Sequence, residues 1–103
     1  MLFRVTTEDA SGTVRVEGEI DMAGAEAFER ELRSALDGGR HEVEMSGVTF
    51  IDSAGLRALY HCSEHLNGAG PLVIVNPSRF VSALMKIAGL EESDHISVSG
   101  ARV

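Results

Sequence analysis

The step Asp52-Ser53-Ala54-Gly55 is where this sequence concentrates reactive side chains. An apolar segment, Val48-Thr49-Phe50-Ile51, runs directly into it, and Leu56-Arg57-Ala58-Leu59 continues beyond it with helical spacing. A hydroxyl placed there lies beside unpaired backbone N–H groups and the positive end of a helix dipole. The ordinary work of Asp52 or Ser53 at such a step is to cap the helix. A nucleophilic Ser53 would need a base, yet the flanks lack the G-x-S-x-G elbow and none of the four histidines adjoins it in sequence. A phosphate-cradling loop would need a lysine and a fuller set of glycines, which the segment does not supply.

Other reactive types are more thinly spread. His61 and His65 stand four apart, a spacing that can bring two imidazoles to one metal, but the sequence places no further ligand near them. With Arg57 and Glu64 they form the polar side of a helix whose apolar side is Leu56, Leu59, Tyr60 and Leu66. Cys62 falls between those faces and reads as an inert, partly buried thiol. Glu26, Glu29, Arg30, Glu31 and Arg33 read as the solvated side of another helix, and Met45 and Met85 as core fillers.

Composition narrows the function classes. In 103 residues there is room for a single domain, 1–103, with one core. The 9 Lys plus Arg against 16 Asp plus Glu give a formal charge of -7, a surface that repels phosphate backbones and anionic headgroups. With no Trp, one Tyr and four Phe, a base-stacking platform is not expected, so no direct nucleic-acid contact is. No apolar run reaches the length of a membrane helix, and no membrane insertion is expected. One cysteine makes neither an internal disulfide nor a zinc cluster. No basic segment followed by an apolar stretch opens the chain, so the expectation is a cytoplasmic, reducing setting.

The elements that must position Ser53 follow from periodicity. Leu2 to Val5 and the alternating Thr13-Val14-Arg15-Val16-Glu17, separated by a Ser11-Gly12 turn, predict a hairpin. Ala25, Phe28, Leu32, Ala35 and Leu36 predict a helix within Met22 to Leu36, ended by Asp37-Gly38-Gly39. His41 to Met45 predicts a strand with Val43 and Met45 inward. The helix opening at Asp52 is predicted to stop around Asn67-Gly68. Leu72-Val73-Ile74-Val75 predicts a strand that is central or covered on both faces. Asn76-Pro77 predicts the start of a third helix, Asn76 capping and Pro77 first in the turn, with Phe80, Leu84, Ile87 and Ala88 inward and Gly89 at its end. Ile96 to Val98 closes the series. The order ββαβαβα, then β, predicts an α/β fold: a mixed sheet of about four to five strands, with an N-terminal hairpin and helices packed against it.

Three blocks in this order resemble the STAS domain family, specifically the bacterial anti-anti-sigma factors, also described as anti-sigma factor antagonists. They are Val16-Glu17-Gly18-Glu19-Ile20-Asp21, then Ile51-Asp52-Ser53-Ala54-Gly55-Leu56, then Met85-Lys86-Ile87-Ala88-Gly89-Leu90. The resemblance covers nearly the whole chain. It implies a STAS-type fold and a switch, not an enzyme, with no catalytic residues, metal or cofactor. In the family the first serine after the aspartate is phosphorylated by a cognate serine kinase of histidine-kinase-like ATPase fold that is also the anti-sigma factor. The unphosphorylated protein binds that kinase and frees the sigma factor, and a serine phosphatase resets it. Carried over by position, the acceptor is Ser53, and Asp21 matches the family aspartate near it. Many relatives carry a second serine where this chain has Ala54, which leaves one hydroxyl at the step. The partner-binding residues implied are Asp21, Asp52, Ser53, Ala54, Gly55, Arg57 and His61, with Gly55 allowing close approach. An alternative within the same family is a STAS subunit bound to the ATPase of a membrane lipid transporter.

Overall fold

Alternation of inward valines with outward polar residues sets the first layer. In the computed structural model, which describes residues 2–8, 12–66 and 70–100, strand β1 (Phe3–Glu8) pairs antiparallel with β2 (Thr13–Ile20), Val5 opposite Val16 and Thr7 opposite Val14. Of the turn predicted between them, Gly12 takes φ +73°, as a tight reversal requires, whereas Ser11 lies outside the described residues. The hairpin is followed by α1 (Ala25–Leu36), β3 (Glu42–Ile51), α2 (Ser53–His65), β4 (Leu72–Val75), α3 (Arg79–Ile87), a 3₁₀ turn at Leu90–Glu92 and β5 (Ile96–Ser99). The sheet order is β1-β2-β3-β4-β5, with every pair after the hairpin parallel. This is the mixed α/β architecture expected.

Strand order here equals chain order, and that has a consequence. Successive crossovers of one hand, each stepping to the next strand, deliver their helices to the same side of the sheet. The register agrees. Val14, Val43, Ile74 and Val98 are lateral neighbours on the covered face, where the first three are fully buried. One residue along, Arg15, Glu44, Val75 and Ser99 are neighbours on the other face, where Arg15 and Glu44 form an ion pair at 3.2 Å. Leu72–Val75 is therefore flanked by strands but not covered on both faces. Leu72 and Ile74 are buried, while Val73 and Val75 stay half-buried on the open face.

Helix α1 buries Phe28, Leu32 and Leu36, each worth roughly 1.5–3 kcal/mol of transfer free energy. Phe28 also meets Phe3 edge-on at 5.7 Å, tying the hairpin to the helix layer. The helix starts at Ala25, so Met22 belongs to a preceding turn and is exposed. The predicted His41–Met45 strand and the apolar segment after it are one ten-residue strand, β3, with Val43, Met45, Val48 and Ile51 inward. Helix α2 ends at His65, and the Asn67-Gly68 stop lies outside the described residues.

Helix α3 corrects the sequence reading. Asn76 adopts φ +53°, outside the extended conformation of an N-cap, and Ser78 is the N-cap, its hydroxyl accepting from Val81 N–H at 3.2 Å. Asn76 instead donates from Nδ2 to Glu44 at 3.3 Å. The face buried is Val81 and Met85, with Leu84 half-buried; Phe80, Ile87 and Ala88 are exposed. Arg79-Phe80-Val81-Ser82-Ala83-Leu84-Met85-Lys86-Ile87 carries apolar residues on two adjacent stripes, Phe80, Leu84 and Ile87 against Val81 and Met85, and the packing on the sheet selects the second.

Candidate functional site

Glycine shapes the end of β2 that leads to the site. Register shifts between Gly18 and Glu19, where Gly18 sits at φ +100° and Glu19 N–H donates to Leu2 O at 2.9 Å. A Cβ on Gly18 would lie 2.1 Å from Leu2 O, so only glycine fits this irregularity, beyond which Ile20, in phase with Val14 and Val16, is buried. The chain then reverses through Asp21, whose Oδ1 accepts from Gly24 N–H at 3.1 Å.

Asp52 fastens that turn to the start of α2. As N-cap it accepts from Gly55 N–H at 3.0 Å through Oδ1, while Oδ2 accepts from Met22 N–H at 2.9 Å. Its own N–H donates to Ile20 O at 3.2 Å, and its carbonyl accepts from Leu56 N–H at 2.9 Å. Asp21 is thus bracketed by two residues, Ile20 and Met22, that both hydrogen-bond to Asp52. Sequence reasoning paired the two aspartates as neighbours of an acceptor; their joint work in the fold is to build the loops around it.

Ser53 is the first residue of α2 and is exposed. Asp52 occupies the Gly55 and Leu56 amides, and among the described residues the Ser53 and Ala54 amides meet no acceptor, so they remain at the positive end of the helix. Gly55 is buried, and a Cβ there would lie 2.6 Å from Ile51 Cγ1 and 3.0 Å from Ile20 O. The first turn of α2 presses directly onto the ends of β2 and β3, which holds Ser53 at the rim. The chemistry available is that of an accessible hydroxyl on a rigid step, with open amides suited to an anion.

The other predicted residues lie along a groove between α1 and α2. It is lined by Ala25, Glu26, Glu29, Ala54, Arg57, Ala58 and His61. Arg57 is exposed, and His61 meets Glu29 at 3.2 Å, with Glu29 also paired to Arg33 at 3.1 Å. Glu29, placed by sequence on the solvated side, therefore faces α2, and His61 is partly committed to it. Tertiary pairing across 32 residues leaves no local signal from which this could be read. Cys62 is fully buried, more so than its position between faces suggested. Burial, and secondarily the Glu29 charge, push its thiol up to about 12, so it is a protonated, inert group at neutral pH.

Among the described residues, no cluster of three or more His, Cys, Asp or Glu side chains is placed to hold a metal, and no helix is long and apolar enough to cross a membrane. The same pole of the molecule carries features that sequence reasoning missed. Met22 is exposed in the turn clamped by Asp52, and Phe50, two residues before Asp52, stacks on Phe80 at 6.0 Å with both rings partly exposed. The sequence places Phe50 only within the apolar segment that runs into Asp52. Opposite the Gly18-Glu19 step β3 carries one extra residue, so its alternation changes phase: Val48 and Ile51 point inward and Phe50 is exposed.

Comparison with known proteins places this architecture. No curated protein sequence matches the chain. The crystal structure of an anti-sigma factor antagonist from Mycobacterium paratuberculosis is similar with TM-score 0.76 and 25% identity, over 92% of this chain and 85% of that one. The anti-sigma factor antagonist SpoIIAA in its unphosphorylated form is similar in fold, with TM-score 0.63 and 19% identity over 97% of this chain and 89% of that one. Part of the murine anion transporter Slc26a9, in its inward-facing state, also matches, with TM-score 0.63 and 26% identity over 85% of this chain but 16% of the transporter. The family model described as Mlab, STAS domain matches residues 3–99. Together with the sheet order and the Asp-capped step, that match shows that the chain belongs to the STAS domain family.

Proposed function

We propose that this protein is an anti-sigma factor antagonist whose binding to its partner is switched by phosphorylation of Ser53. The observation that carries the reading is the position of Ser53: an exposed hydroxyl, first in α2, on a step that Asp52 and Gly55 hold rigidly. The likeness to an anti-sigma factor antagonist over most of both chains supports the role, as does a solved relative described as unphosphorylated.

In this reading an anti-sigma factor serine kinase of histidine-kinase-like ATPase fold binds the unphosphorylated protein in the cytoplasm and releases its sigma factor. The kinase then transfers the γ-phosphoryl of ATP to the Ser53 oxygen, with loss of the hydroxyl proton, and a serine phosphatase reverses the change. The protein is a binding module and not an enzyme. The phosphate adds roughly -1.5 to -2 charges, which the open amides at the start of α2 accept without unfolding it. Binding is lost because the partner would have to desolvate that dianion beside Asp52. A penalty of about 3 kcal/mol weakens association by more than a hundredfold. Asp21, Asp52, Ala54, Gly55, Arg57 and His61 complete the recognition surface.

The test uses a panel of purified anti-sigma factor kinases. The wild-type protein and Ser53→Ala should bind one of them with similar affinity, Ser53→Asp should not, and phosphosite mapping after incubation with ATP should find Ser53 alone. A Ser53→Asp variant that binds like wild type sinks the switch. A second reading, to which the family model described as Mlab, STAS domain is relevant, is an assembly component bound to the ATPase of a membrane lipid transporter. It expects a stable stoichiometric complex insensitive to both Ser53→Ala and Ser53→Asp.

A further inference from the structure

We infer that Met22, Phe50 and Phe80 are apolar anchors that seat the partner around Ser53, in a pocket of the partner edged by basic side chains. The inference rests on the proposed function and names the physical means of docking. Among the described residues, large hydrophobic side chains are exposed at Leu2, Met22, Phe50, Phe80 and Ile87. Scattered singly these would mean little, but clustering at one place marks an interaction surface. Three of them are tied to the Asp52 step: Met22 by its N–H bond to Oδ2, Phe50 by lying two residues before Asp52, and Phe80 by stacking on Phe50. Met22 is 77% exposed, and the bond that holds its backbone leaves its side chain free to insert elsewhere.

The charges beside these side chains select the occupant. Glu19 is exposed and pairs in register with Phe50, while Asp21 and Asp52 flank Met22. An anionic lipid surface is repelled by that edge, and a second copy would bring the same acids face to face on a chain of net charge -7. A protein surface with an apolar pocket and basic rim satisfies both features, and Arg79, next to Phe80, offers one cationic contact to an acidic group of that surface. Aromatic and methionine side chains are the types enriched at the buried centre of such interfaces. Phosphorylation of Ser53 would then act at the rim of the anchor set, where its charge must be desolvated for the anchors to seat.

The experiment measures calorimetric Kd values for the purified kinase that binds the wild-type chain, using variants shown by circular dichroism to be folded. Phe80→Ser should weaken binding at least about tenfold and Met22→Ser about threefold to tenfold. Met22→Ser covers the case in which loss of the Phe50 stack perturbs folding, since Met22 lies in an exposed turn. Ile87→Ser, at the far end of α3 and 82% exposed, should keep wild-type affinity. If Phe80→Ser and Met22→Ser bind like the wild-type chain, or if Ile87→Ser loses as much as they do, the anchor set is overturned while the proposed function stands. Self-association of the wild-type chain that Phe80→Ser abolishes also overturns it, because a second copy then covers the patch. Failure of the wild-type chain to bind any of the kinases overturns both the functional reading and the anchors.

Discussion

The two ends of the parallel strands are built on different principles. At the amino ends of β2 and β3 the chain reverses through Gly12 and through Gly38-Gly39-Arg40-His41, held by backbone carbonyls: Gly12 N–H to Glu8 O at 2.8 Å and Arg40 Nη1 to Asp37 O at 2.8 Å. Side chains added at Gly12 or Gly39 would meet nothing within 4 Å, so this end has open space. At the carboxyl ends the loops are fastened by carboxylates, Asp21 to Gly24 and Asp52 to both Met22 and Gly55, and the glycines are hemmed in. That end also displays Met22, Phe50 and Phe80. The contrast teaches that glycine has two uses in one fold: at the amino end for its backbone angle alone, at the carboxyl end because no Cβ fits. Only the second end combines a rigid frame with exposed groups able to bind, which is what a docking site needs.

Substitutions at the two ends can break or sharpen that contrast. The largest effect is expected for Gly18→Ala, which combines a φ of +100° with a Cβ 2.1 Å from Leu2 O. A loss of about 3 kcal/mol is expected from strain and overpacking together, read by urea denaturation. Asp52→Ala should cost about 2 kcal/mol, roughly half from the lost cap and half from the Met22 bond. Its signature is faster hydrogen exchange at both the Met22 and Gly55 amides, although the two lie 33 residues apart. Exchange that rises at Gly55 alone would show that the two loops are not fastened to each other. Gly55→Ala should cost about 1–2 kcal/mol, since Ile51 can yield while the Ile20 carbonyl cannot. The smallest effect belongs to the amino end: Gly12→Asn, at φ +73° and with free space, should cost less than about 1 kcal/mol. A loss there as large as that of Gly18→Ala would erase the distinction.

Much of this is legible in the sequence, and the reasons differ by element. Val14 and Val16 alternate strictly with polar residues, and Phe28, Leu32 and Leu36 share one stripe, so period alone identified strand, helix and buried face. The Asp52 cap was legible because capping is local, made between residues three apart. Helix α3 was not, because its two apolar stripes are equally helical and the choice between them depends on where β4 delivers the chain. Glu29 looked solvated because its partner His61 belongs to another helix. Sequence also indicated Ser53 as the residue to watch, while the exposed side chains around it went unread: Phe80 reads as inward from its helical spacing, and the exposure of Met22 and Phe50 depends on the turn and register that surround them.

By itself, then, the sequence determined the succession of strands and helices, the hairpin, the inward valines and the capped step that carries Ser53. Those features depend on interactions within a few residues and on side-chain period. Tertiary structure alone decided that all three helices lie on one face, that Val81 and Met85 rather than Phe80 and Ile87 enter the core, and that Asp52 reaches 30 residues back to Met22. These depend on strand length, register and the approach of distant segments, and no local pattern encodes them. The consequence is functional as well as architectural: long-range packing turns a local helix cap into the frame of a binding surface.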